Sequence, residues 1–146
     1  MTRAELRALA EAALVTATGA ASVVRQCPHC GSSDHGRPIL VGSDLHVSIA
    51  YTDELAVVAW GDDPVGIDVE SVEATPPDGL TVREWTRLEA LGKVTGAGLA
   101  AWPDQPPPDG PTRSLNLPAP YVGTVAGQVL GWLVTPQKSV SAVPRA

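Results

Sequence analysis

The sequence predicts an α+β fold, and three observations carry that reading. Two segments, Thr2-Arg3-Ala4-Glu5 and Thr81-Val82-Arg83-Glu84, have the form of a capping box, in which a Thr hydroxyl and a Glu carboxylate satisfy free amides at a helix start. Between and after them lie short apolar runs of strand length, bounded by Gly, Pro and Asp. The 146 residues suit one cooperative core, and 14 Gly with 14 Pro imply many turns.

In chain order, the first helix runs from its capping box to about Thr16, with Leu6, Leu9, Ala10 and Ala13 at helical spacing. Residues 27–38, CPHCGSSDHGRP, are dense in turn formers and read as a loop. Residues 45–50 and 55–60 read as strands joined through Thr52-Asp53-Glu54, and the second, LAVVAW, is apolar enough to be covered on both faces. After the Asp62-Asp63-Pro64 turn, VGIDVE is expected as the third strand of one antiparallel meander. The second helix follows Pro76-Pro77-Asp78-Gly79, carries Trp85, Leu88 and Gly92 on one side, and should end near Gly96. WPDQPPPDG is a Pro-rich loop; residues 121–126 and 128–134 are expected as a closing hairpin turning at Gly127. The expected organisation is a single domain over 1–135, with approximate halves 1–65 and 66–135, and a loose tail over 136–146.

A formal charge of −6 argues against nonspecific nucleic-acid binding, which requires a basic footprint, and leaves room only for a local basic patch. No apolar run approaches the ~20 residues that span a bilayer. Arg3, Glu5, Arg7 and Glu11 occupy the segment that would be apolar in a secretory signal, so a cytoplasmic location is expected, with no membrane association. Phe is absent, which leaves the aromatic part of the core to Trp60, Trp85, Trp102, Trp132, Tyr51 and Tyr121.

The chemistry concentrates in GIDVE. Side chains alternate along a strand, so Asp68 and Glu70 share a face, and two carboxylates that close repel unless a positive charge lies between them. A divalent cation answers that need, because Mg²⁺ is typically held by one or two carboxylates and a substrate phosphate; a solvated strand end answers it as well. The second helix offers Glu89 and, one turn on, Lys93. Folded back over the strand, Glu89 adds a third oxygen ligand and Lys93 a cation beside a bound anion; as a surface ion pair they contribute under ~0.5 kcal/mol. Cys27, His29, Cys30 and His35 raise a rival, a small zinc module, although no second ligand pair follows the C-x2-C.

HGRP, a hairpin, GIDVE and then WTRLEALGKVTGAG occur in that order between residues 27 and 98. Together they resemble the 4'-phosphopantetheinyl transferase superfamily, in particular a short member of its Sfp-like branch. The resemblance implies a phosphopantetheinyl transferase-like fold of antiparallel strands packed with helices, with two pseudo-symmetric halves in one chain and hence a monomer. It implies Mg²⁺-dependent transfer of the phosphopantetheine arm of coenzyme A to a serine of an acyl or peptidyl carrier protein, a holo-[acyl-carrier-protein] synthase activity. Residue by residue, Asp68, Glu70 and Glu89 match the metal ligands, Glu89 doubling as a candidate base. Lys93 matches the lysine on the phosphates, and His35, Gly36, Arg37 and Pro38 match the coenzyme A loop. Ala50-Tyr51 stands where the family has Ser-His, so Tyr51 offers a neutral hydroxyl in place of a cation at the nucleotide. The alternative is a shortened chain that binds coenzyme A or carrier protein without transfer.

Overall fold

The computed structural model describes residues 1–27, 29–33 and 36–136. Its elements are α1 (Arg3–Thr18), β1 (Ser22–Gln26), β2 (Arg37–Val41), β3 (His46–Tyr51), β4 (Ala56–Gly61), β5 (Gly66–Ser71), a short 3-10 turn (Pro77–Gly79), α2 (Val82–Thr95), β6 (Thr112–Ser114), β7 (Tyr121–Ala126) and β8 (Gly131–Thr135). The α+β class holds, with every strand pair antiparallel.

Both helices start as their sequences dictate. Thr2 and Thr81 each accept from the amide three residues on, and Glu5 and Glu84 reach back to the capping backbone. Each ends at a glycine with positive φ, Gly19 and Gly96, the left-handed conformation that lacks a steric cost only without a Cβ.

The strands form a β1–β2 ribbon and two three-stranded sheets, ordered β3-β4-β8 and β5-β7-β6. The two sheets face one another across the main core, in which Val57, Ala59, Trp132 and Val134 meet Ile67, Val69 and Val125. On the far side of the first sheet, α1 lays Ala10 and Leu14 against Ala56, Val58 and Trp60. On the far side of the second, α2 lays Ala90 and Leu91 against Ala126. The central strand β4 is buried at all six positions, as LAVVAW suggested.

Two expected pairings are corrected. GIDVE does not continue the meander: β5 pairs with β7, and β3 and β5 are edge strands of different sheets. The closing hairpin is also absent, because β7 joins β5 and β6 whereas β8 crosses to β4. The reason is shared. Apolar residues on both faces of β4 need a sheet on one side and a helix on the other, so the chain leaves β4 for a second layer and returns through β8.

Three short strands, β1, β2 and β6, have no counterpart in the sequence reading. β2 begins inside the turn-rich run, where Arg37 and Pro38 already pair with Gln26 and Arg25 of β1. Trp60 and Trp132 are core residues, but Trp85 and Trp102 are half-buried and stack edge to face outside it, centroids 5.4 Å apart. Among the described residues no helix is long and apolar enough to cross a membrane. The expected tail from 137 on lies outside the described residues, as do Pro28, Asp34 and His35.

Candidate metal centre and cationic cleft

The site begins with Gly66. A Cβ there would stand 1.9 Å from the carbonyl oxygen of Ala90. Only glycine lets the α2 backbone come this near β5. The contact continues at Thr86 and Thr124, both buried, whose hydroxyls hydrogen-bond at 2.9 Å between α2 and β7. Strand alternation then does the rest: Ile67 and Val69 enter the core, and Gly66, Asp68 and Glu70 face the helix.

On that face α2 presents Glu89 and Lys93. Asp68, Glu70 and Glu89 each place a carboxylate oxygen within 4.8 Å of the others. Asp68 is only 5% exposed, and its Oδ2 is buried with no hydrogen-bond partner among the described residues. Its Oδ1 lies 3.5 Å from Lys93 Nζ. Burial dominates Asp68 and, helped by Glu70, raises it to about 7 against the opposing pull of Lys93. Glu89 is raised to about 8, first by burial and then by the charges of Asp68 and Glu70. Near neutral pH the cluster therefore retains a proton, while Asp68 Oδ2 stays buried without a partner among the described residues. Three hard oxygens so arranged fit a divalent cation.

Beside the cluster lies a cleft of about 360 Å³ whose lining includes Arg25, Gly36, Arg37, Pro38, Ser48 and Lys93. Three cations around one cleft stand out in a chain of net charge −6. The Arg25 side chain is 11% exposed; its guanidinium donates to the Tyr51 hydroxyl at 3.0 Å and sits 3.5 Å from Glu11. Arg3 stacks on the Tyr51 ring at 4.5 Å. The Arg37 guanidinium rests against Gly96 at the C-terminal end of α2, where the helix dipole favours a cation. A larger cleft, about 890 Å³, lies across Arg37 and Pro38; neither cleft is lined by the three carboxylates, and Lys93 is what joins the smaller one to them.

The structure thus brings Asp68, Glu70, Glu89 and Lys93 together, with Gly36, Arg37 and Pro38 on the neighbouring cleft wall. Tyr51 reaches this region through Arg25. His35 lies outside the described residues. Among the described residues, Cys27, His29 and Cys30 do not form a group of metal-ligating atoms; Cys27 is buried and Cys30 exposed. Sequence reading missed Gly66 as the residue that admits the helix, and Ser48, whose hydroxyl accepts from the Ile67 amide at 3.1 Å. The position of Gly66, two residues ahead of the first carboxylate, is a usable signal; a lone Ser in an apolar strand is not. Arg83, Arg87 and Lys93, the cations of α2, do not share one exposed patch. Lys93 turns inward, Arg87 pairs with Asp109 at 2.6 Å, and Arg83 bonds Ser114 at 2.5 Å.

No family model and no curated protein matches the chain.

Proposed function

We propose that the protein is a Mg²⁺-dependent 4'-phosphopantetheinyl transferase, acting on coenzyme A and a serine of an acyl or peptidyl carrier protein. One observation carries the reading: a cluster of three carboxylates with a bare, buried Asp68 oxygen adjoins a cleft lined by Arg25, Arg37 and Lys93. A cation site next to an anion site suits a pyrophosphate. The motif order HGRP, GIDVE and WTRLEALGK resembles that family, and the resemblance supports the substrate pair and a fold with two related halves.

Asp68, Glu70 and Glu89 would hold the cation, which when bound neutralises pyrophosphate oxygens as the carrier serine attacks. Arg25 and Arg37 can grip phosphate oxygens with planar, multiply donating guanidinium groups. The serine oxygen forms a new bond to the phosphorus carrying the pantetheine arm. The bond to the other phosphate breaks, and adenosine 3',5'-bisphosphate leaves with that electron pair. Glu89, half-buried in the cluster, would take the serine proton in its ionised form, which a bound cation favours. Transfer is tested by intact-mass spectrometry of apo carrier proteins incubated with the protein, coenzyme A and Mg²⁺. A gain of one phosphopantetheine arm that is absent with Asp68→Ala is expected. Coenzyme A binding without any mass gain would favour the binder over the transferase.

A further inference from the structure

Where the two sheets meet, β3 and β5 run side by side as unpaired edges, each with a row of backbone groups to satisfy. Among the described residues, no backbone-to-backbone hydrogen bond joins them. Side chains do so instead. Ile67 turns both its N–H and its C=O to the seam; the N–H donates to Ser48 Oγ at 3.1 Å and the C=O accepts from Lys93 Nζ at 2.8 Å. The same ammonium donates across to the Ile49 carbonyl at 3.3 Å and pairs with Asp68 Oδ1 at 3.5 Å. Two of the ammonium's three protons go to the Ile67 and Ile49 carbonyls, and its charge is paired with the Asp68 carboxylate. A phosphate oxygen would compete with Asp68 for the third.

We infer that Ser48 and Lys93 act as a polar stitch across the β3–β5 seam, positioning the cationic cleft relative to the carboxylate cluster. This rests on the functional reading above, because the two sites need a fixed spacing only if one ligand bridges them. Ser48 stands on β3 and lines the cleft, whereas Ile67 adjoins Asp68 on β5. Lys93 touches both strands and the buried carboxylate. The cleft's wall and the cluster belong to different sheets, so a seam free to open would uncouple them. Lys93 is on this view a positioning residue, and Arg25 and Arg37 are left to hold the anion.

The test measures coenzyme A affinity with and without Mg²⁺ in wild type, Ser48→Ala, Ser48→Thr and Lys93→Met, alongside amide exchange at Ile67. In wild type Mg²⁺ should tighten coenzyme A by roughly 10-fold or more, within the usual span of coupling between sites. In Ser48→Ala and Lys93→Met that factor should fall at least about fivefold, and in Ser48→Thr, which keeps the hydroxyl, it should return. The Ile67 amide should exchange about tenfold faster or more in Ser48→Ala, a readout that needs no ligand. A coupling factor unchanged in both loss variants, or an Ile67 amide indifferent to Ser48, overturns the stitch while leaving the transferase reading intact. A wild-type chain that binds no coenzyme A under either condition instead overturns the transferase reading and, with it, the positioning role.

Discussion

The two helices start and stop by the same devices but cover their sheets with opposite kinds of surface. α1 and α2 share a Thr-x-x-Glu capping box and a glycine C-cap. α1 buries Leu6, Ala10 and Leu14, an apolar stripe that keeps its backbone a side chain's length from β4. α2 buries Thr86, Ala90, Leu91 and Gly92, mostly small, and drops until the Ala90 carbonyl fills the space a side chain at Gly66 would need. The lesson is that the candidate site lies where helix and sheet touch through small residues, so that long polar side chains at the rim, Glu89 and Lys93, can reach the strand.

The comparison is broken most severely at the close contact. Gly66→Ala should destabilise by about 3 kcal/mol or more, at the upper end of overpacking costs, because backbone faces the new methyl. Cation binding should be lost with it; denaturant unfolding and Mn²⁺ titration check the two effects. Leu14→Ala in α1 should also cost about 3 kcal/mol, from a cavity, yet leave cation affinity unchanged in the folded fraction.

A smaller effect follows from the cluster's charge. Both carboxyls are raised above their ordinary values of 3.8 and 4.5, Asp68 to about 7 and Glu89 to about 8. A raised carboxyl contributes its stability fully below its ordinary range and loses it as pH rises through its folded value. The Tm of cation-free protein should therefore fall toward pH 8 more steeply than that of Asp68→Asn, which lacks the Asp68 ionisation and keeps only that of Glu89. At that pH the variant should melt about 3 °C higher or more, and Mg²⁺ should raise wild type but not the variant. A wild-type Tm that tracks the variant's across pH 5 to 9 would remove the buried charge from the argument.

Smallest are the shared features. Thr2→Ala and Thr81→Ala should each cost about 1 kcal/mol by urea unfolding, because the two caps have the same geometry. Unequal costs would mean that the tertiary setting, rather than the cap, sets helix stability.

Local signals were legible in the sequence, and the long-range arrangement was not. The caps, the C-terminal glycine of α2, β3 to β5 and the double-faced burial of β4 follow from residue order and spacing. Asp68 and Glu70 were visible as a pair because a strand has a period of two, and Glu89 and Lys93 because a helix places them one turn apart. That β5 leaves the meander and β8 returns to β4 depends on which layers cover which faces, information no local window contains. The short strands β1 and β6 lack a strong alternating pattern, and β2 starts at Arg37-Pro38, which reads as a turn. The seam between β3 and β5 is a product of that same topology, so the role of Ser48 had no sequence signature.

The most direct measurement is Mn²⁺ binding at pH 8 by electron paramagnetic resonance, wild type against Asp68→Asn, in protein shown to be folded by circular dichroism. The expected result is one tightly bound ion per chain in wild type. Its affinity should fall in the variant by more than the roughly 10- to 100-fold that losing an outer-shell partner costs. Equal and weak binding in both proteins would contradict a metal centre at Asp68, Glu70 and Glu89, and the transferase reading built on it.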